Sequence, residues 1–157
     1  MRLEYFQLID RIVDINLADR KISTEATVPS TSTIFEGHFP GFPLMPGVLL
    51  IEAMAQTSGW LVVAVNRFER MPFLAAVKDA KFRMFVTPGQ QFSVKATLVH
   101  EGSGYAITKG NITLGGKPVC DAELTLRIMD FPNAEMRLKM RETAALVGFP
   151  VEVPANG

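Results

Sequence analysis

Residues 48–65 form a stretch apolar enough to pass for a membrane span, yet it carries a glutamate, Glu52, near its start. Thirteen of these 18 residues are apolar, but Glu52, Gln56, Thr57 and Ser58 interrupt them, and the longest unbroken apolar run is 60–65. A bilayer span wants about 20 mostly apolar residues with few or no charges. The segment therefore reads as a helix buried inside a soluble fold, running over about 46–68. Pro46 suits its first turn, and Pro72 lies beyond its exit. At ~1.5 Å per residue such a helix is ~35 Å long. Its first four turns are apolar nearly all round, so other structure must wrap it.

The rest of the chain offers strands for that wrapping. Residues 9–16 are strand-like. In a strand over 21–28, Ile22, Thr24, Ala26 and Val28 share one face, with charged and polar residues on the other. A long strand is expected over 73–86, broken around Lys78 and Asp79. After a Pro88-Gly89 turn, Phe92, Val94, Ala96 and Leu98 alternate with polar residues. Turns at 101–104 and at Gly115-Gly116 bracket a strand over 105–114, and Cys120, Ala122, Leu124, Leu126 and Ile128 alternate in a last one. Short loops between successive strands imply an antiparallel sheet. A strongly twisted sheet curled round one buried helix, an α+β architecture, accounts for both patterns. A C-terminal helix is expected over 134–146. One domain over 1–157, with a helical extension from about 132, suits this length.

Composition excludes several roles. The formal net charge of zero argues against broad nucleic-acid binding, which leans on uncompensated Lys and Arg. Cys120 is the only cysteine, so no internal disulfide can form, and a reducing, cytoplasmic setting fits. The first seven residues carry Arg2 and Glu4 and no apolar core, so no signal peptide is expected. Two histidines without a Cys/His cluster make a metal site an unfavoured reading.

Residues 37–47 hold three prolines (Pro40, Pro43, Pro46) and three glycines (Gly37, Gly41, Gly47). Proline fixes φ and glycine reaches conformations closed to other residues, so this is a stiff, tightly bent loop. His38 sits in it. Glu52 lies about one and a half turns into the helix, and Gln56 four residues on, on the same face. Gly47 lies at the helix start, where backbone N–H groups are free and the dipole favours negative charge. A glutamate in apolar surroundings resists ionising and can donate a proton, while a neutral histidine accepts one. An N–H at the helix start can hold an oxyanion. These parts suit proton abstraction beside a carbonyl with loss of a β-hydroxyl, and equally hydrolysis or isomerisation. The bland alternatives are a histidine that ties down its loop and a Gln56 that merely satisfies Glu52. His100, beside Glu101 at a strand end, reads as surface, and Cys120 as core.

The run Gly-His-Phe-Pro-Gly-Phe-Pro-Leu-Met-Pro-Gly-Val-Leu-Leu-Ile-Glu-Ala-Met-Ala-Gln at 37–56 resembles the signature of the (3R)-hydroxyacyl-acyl carrier protein dehydratases. The stretches 6–12 and 81–89 resemble further parts of that family, and the resemblance covers roughly residues 5–129. It implies a hot-dog fold, an antiparallel sheet wrapped round one long helix, and dimers that often assemble as trimers of dimers. The implied site lies at the dimer interface, with the histidine from one subunit, the acid from the other, and the acyl chain in an apolar tunnel beside the helix. It implies His38 as the base, Glu52 as the acid, Gly47 and Val48 at the thioester, and Gln56 orienting the acid. No cofactor is implied, and the partner is acyl carrier protein bearing the hydroxyacyl chain. A hot-dog thioesterase, with Glu52 activating water, is the alternative. A basic cluster at Arg137, Lys139 and Arg141 can meet an acidic carrier or can be a plain solvated helix face.

Overall fold

The computed structural model describes residues 1–150. Six strands form one antiparallel sheet: β1 (Arg11–Asn16), β2 (Lys21–Thr27), β3 (Met71–Phe82), β4 (Gln91–Gly102), β5 (Tyr105–Leu114) and β6 (Lys117–Met129), in the order β1-β2-β4-β5-β6-β3. Among the described residues three α-helices accompany them: α1 (Thr33–Gly37), α2 (Gly47–Val65) and α3 (Ala134–Leu146). Tight turns make the meander. Ser103-Gly104 and Gly115-Gly116 have φ of 55°, 81°, 56° and 79°, the left-handed pairs that match strand twist in two-residue hairpins.

The sheet curls round α2, which packs on β2, β3, β4, β5 and β6. The inward faces are the alternating residues of the sequence: Ile22, Ala26, Phe92, Val94, Ala96, Leu98, Leu124 and Leu126 are all buried. This is the hot-dog arrangement. Two-thirds of α2 is buried in the fold, so its apolar length belongs to a core helix. Among these apolar contacts sit two buried hydroxyl pairs, Thr24–Thr57 at 2.8 Å and Ser58–Thr108 at 2.7 Å. Each joins α2 to a strand and fixes where the helix lies along the sheet.

Three elements differ from the expected ones. The central helix stops at Val65, because Arg67 and Phe68 take left-handed φ of 56° and 63°. Phe68 is still buried, so the apolar pattern runs on past the helix end. β3 begins at Met71 and includes Pro72, which an edge strand tolerates because one side of it has no ladder to receive the N–H that proline lacks. The break foreseen in this strand is a register shift between Lys78 and Lys81, with Asp79 at φ 54°. The one-turn α1 has too few residues to show a period; Ser32 caps it, its Oγ accepting from the Ile34 N–H.

Candidate active site

The loop before α2 is tied at several points. His38 N–H donates to the Ile34 carbonyl, Leu44 N–H to the His38 carbonyl, and Met45 N–H to the Val86 carbonyl, at 2.8–3.0 Å. The His38 ring stacks on Phe39, with centroids 4.2 Å apart. Its Nδ1 lies 3.0 Å from the Leu44 carbonyl oxygen. A carbonyl only accepts, so Nδ1 carries the proton and Nε2 of the neutral ring is left with a lone pair. That is the tautomer a general base needs.

At the start of α2, the Pro46 carbonyl accepts from Leu49 and Leu50. The N–H groups of Gly47 and Val48 have no acceptor among the described residues, as the first positions of a helix require. The Val48 side chain is exposed. A side chain at position 47 would have its Cβ 2.9 Å from Cε1 of Phe82, so glycine is what lets the Phe82 ring lie against the helix start. Phe82 is readable from the sequence as a residue shaping an acyl tunnel, but its contact with Gly47 is not, since only the fold brings residue 82 to residue 47.

Glu52 is half-buried rather than enclosed, and it lines a cavity of about 660 Å³ together with Gln56, Phe6, Trp60 and Leu74. Gln56 is held by the N-terminal segment. Its Oε1 accepts from Leu8 N–H at 3.1 Å, and its Nε2 donates to the Phe6 carbonyl at 2.7 Å and to Glu52 Oε1 at 3.1 Å. The Leu8 donor decides the orientation of the amide, so Nε2 must face the carboxylate. His38 does not line this cavity. Within one chain the structure joins Glu52 to Gln56, and leaves His38 outside that cavity.

A family model described as a FabA-like domain matches residues 2–123. The chain belongs to the FabA-like family. Among curated FabA-like relatives, the 3-hydroxyacyl-[acyl-carrier-protein] dehydratase FabZ of Clostridium acetobutylicum is 37% identical over 123 residues, covering 78% of this chain and 86% of the relative. The FabZ of Latilactobacillus sakei is 38% identical over 122 residues, covering 77% and 86%. Solved structures share this fold at lower identity. A chain of the dehydratase heterocomplex ApeI:P from Xenorhabdus doucetiae has a TM-score of 0.62 at 16% identity, covering 87% of this chain and 90% of that one. A hypothetical thioesterase with coenzyme A from Streptococcus pneumoniae has 0.60 at 17%, covering 78% and 88%. At these identities the structural likenesses carry the fold and no activity.

The remaining sequence candidates fall outside the site. His100 is exposed, its ring 4.7 Å from Tyr105. Cys120 is buried, and burial pushes its thiol up to about 11. The basic residues of α3 are engaged within the chain: Arg137 with Glu69 at 3.7 Å, Lys139 with Glu135 at 3.2 Å, and Arg141 over the Phe68 ring at 4.7 Å. That favours the solvated-face reading of the cluster.

Proposed function

We propose that His38 and Glu52 are the base and acid of a 3-hydroxyacyl-[acyl-carrier-protein] dehydratase, which eliminates water from the (3R)-hydroxyacyl thioester to give the trans-2-enoyl thioester of fatty-acid biosynthesis. The hydro-lyase activity follows from the family and from curated relatives named for it. The observation that carries the residue roles is the bond from His38 Nδ1 to the Leu44 carbonyl, which leaves Nε2 free to take the α-proton. As that proton leaves, charge gathers on the thioester oxygen. The free N–H groups of Gly47 and Val48 and the helix dipole stabilise it there. Glu52, aimed by Gln56, gives its proton to the departing β-hydroxyl, which leaves as water. The proton on His38 returns to Glu52 through solvent, so the cycle closes.

The working pair is formed across a homodimer, with a trimer of dimers as the larger assembly. His38 stands apart from the cavity of Glu52 in one chain. β3 is the outer strand beside β6, and it exposes Phe73, Leu74, Val77 and Phe82. A long apolar free edge of this kind calls for a partner, and a second copy supplies one by two-fold symmetry. We read residues 1–157 as one hot-dog domain with α3 appended, working in the cytoplasm, with acyl carrier protein as the partner that delivers the chain.

A turnover panel tests the activity. (3R)-Hydroxyacyl chains on carrier protein and on coenzyme A are each scored for enoyl product and for free thiol. Enoyl product without free thiol is expected, whereas free thiol without enoyl would make the protein a thioesterase.

A further inference from the structure

The cavity beside Glu52 has a floor, a side and an end. Its floor is one face of α2: Glu52, Ala55, Gln56, Gly59 and Trp60 all line it, at spacings of three and four residues. Small side chains at 55 and 59 keep the trough deep, and Leu74 of β3 closes its side. From Glu52 to Trp60 the helix rises ~12 Å. There the trough meets α3, whose Met140 and Thr143 also line the cavity. Yet α3 lies beyond residue 123, where the family match ends.

α3 is fixed against the body of the fold. Ala144 and Val147 are buried in the same cluster as Trp60 and Leu61, with Met140 packed against it. Ile12 N–H donates to the Val147 carbonyl at 2.7 Å, and the Phe149 ring lies 5.6 Å from Trp60 and 5.3 Å from Phe68. A wall anchored at so many points does not swing aside for a longer ligand.

We propose that α3 is the end wall of the acyl pocket, and that Met140, with Thr143 beside it, sets the longest hydroxyacyl chain the enzyme accepts. This rests on the dehydratase reading above, which puts the reacting carbons at Glu52 and so directs the chain's tail along the trough. The tail then runs over Ala55 and Gly59 and stops at Met140. A thioether side chain adapts its shape, so shortening it lengthens the pocket and a rigid ring shortens it.

The test measures kcat/KM for (3R)-hydroxyacyl-carrier protein over a series of chain lengths in wild type, Met140→Ala and Met140→Phe. A methylene gained or refused in an apolar pocket is worth about tenfold or more in kcat/KM. The ratio of long-chain to short-chain kcat/KM is expected to rise about tenfold in Met140→Ala and to fall by a similar factor in Met140→Phe. Loosening of α3 without a pocket role lowers every chain length alike. An unchanged ratio in both variants overturns the role of α3. A wild type that makes no enoyl product at any length overturns instead the dehydratase reading beneath it.

Discussion

Gln56 aims Glu52. Its Nε2 lies 3.1 Å from Glu52 Oε1, and the same amide is pinned by the backbone of Phe6 and Leu8, so the carboxylate is positioned by the N-terminal segment through one side chain. An amide pinned on both of its polar atoms holds the carboxyl group in one place, as the proposed role of Glu52 as proton donor requires.

Replacing Gln56 with leucine keeps the bulk and removes both functions of the amide. Misplacing a reacting group by an ångström can cost about 10²-fold, so kcat should fall by about 10–100-fold with KM changed little. Steady-state kinetics beside a melting curve separate the effects. A lowered Tm with kcat unchanged would reduce Gln56 to a structural tie.

Gly47 is squeezed by Phe82. The Gly47→Ala variant puts a methyl group 2.9 Å from the Phe82 ring and disturbs the helix start where the thioester oxygen is expected. Turnover should drop, and Gly47→Ala with Phe82→Leu should regain part of it. A double variant as impaired as the single one would mean that the contact with Phe82 is not the cause.

The Thr24–Thr57 pair fixes α2 on the sheet. Thr57→Val leaves the Thr24 hydroxyl unpaired at a fully buried position and should cost about 1–3 kcal/mol. Thr24→Val with Thr57→Val removes both partners and should cost clearly less than the two single changes added. Denaturant unfolding of the four proteins checks this, and strict additivity would contradict a coupled pair.

Cys120 should be inert in the folded protein. Burial raises its thiol to about 11, so the neutral form persists through pH 7–8 and the nucleophilic thiolate is scarce. Alkylation followed by mass spectrometry should label it after unfolding and not before. Rapid labelling at pH 7.5 in the native state would show that the thiol is accessible after all.

Much of this architecture was legible in the chain, for stated reasons. Ile22, Thr24, Ala26 and Val28 alternate because one face of β2 meets α2 and the other meets solvent. The helix end was misplaced because Phe68 stays buried after the backbone has left the helix, and burial patterns do not register φ. Pro72 reads as a stop, while at a sheet edge it costs little. His38, Gly47, Glu52 and Gln56 could be named because their motif is contiguous. Their supports could not: the carbonyl of Phe6 and the N–H of Leu8 reach Gln56, and the ring of Phe82 reaches Gly47, only through the fold. The same holds for α3, foreseen as a helix over 134–146 but with no hint that it lines the cavity of Glu52.

The central claim is a base from one subunit and an acid from the other. Either His38→Ala or Glu52→Gln should lower enoyl formation by about 10²–10⁴-fold. The two inactive proteins are then unfolded together, refolded as a mixture and assayed. Half of the dimers formed at random are mixed, and each mixed dimer holds one intact site, so about a quarter of wild-type activity should return. A mixture as inactive as its parents would contradict the shared site, and near-normal turnover by His38→Ala alone would contradict the role of His38 itself.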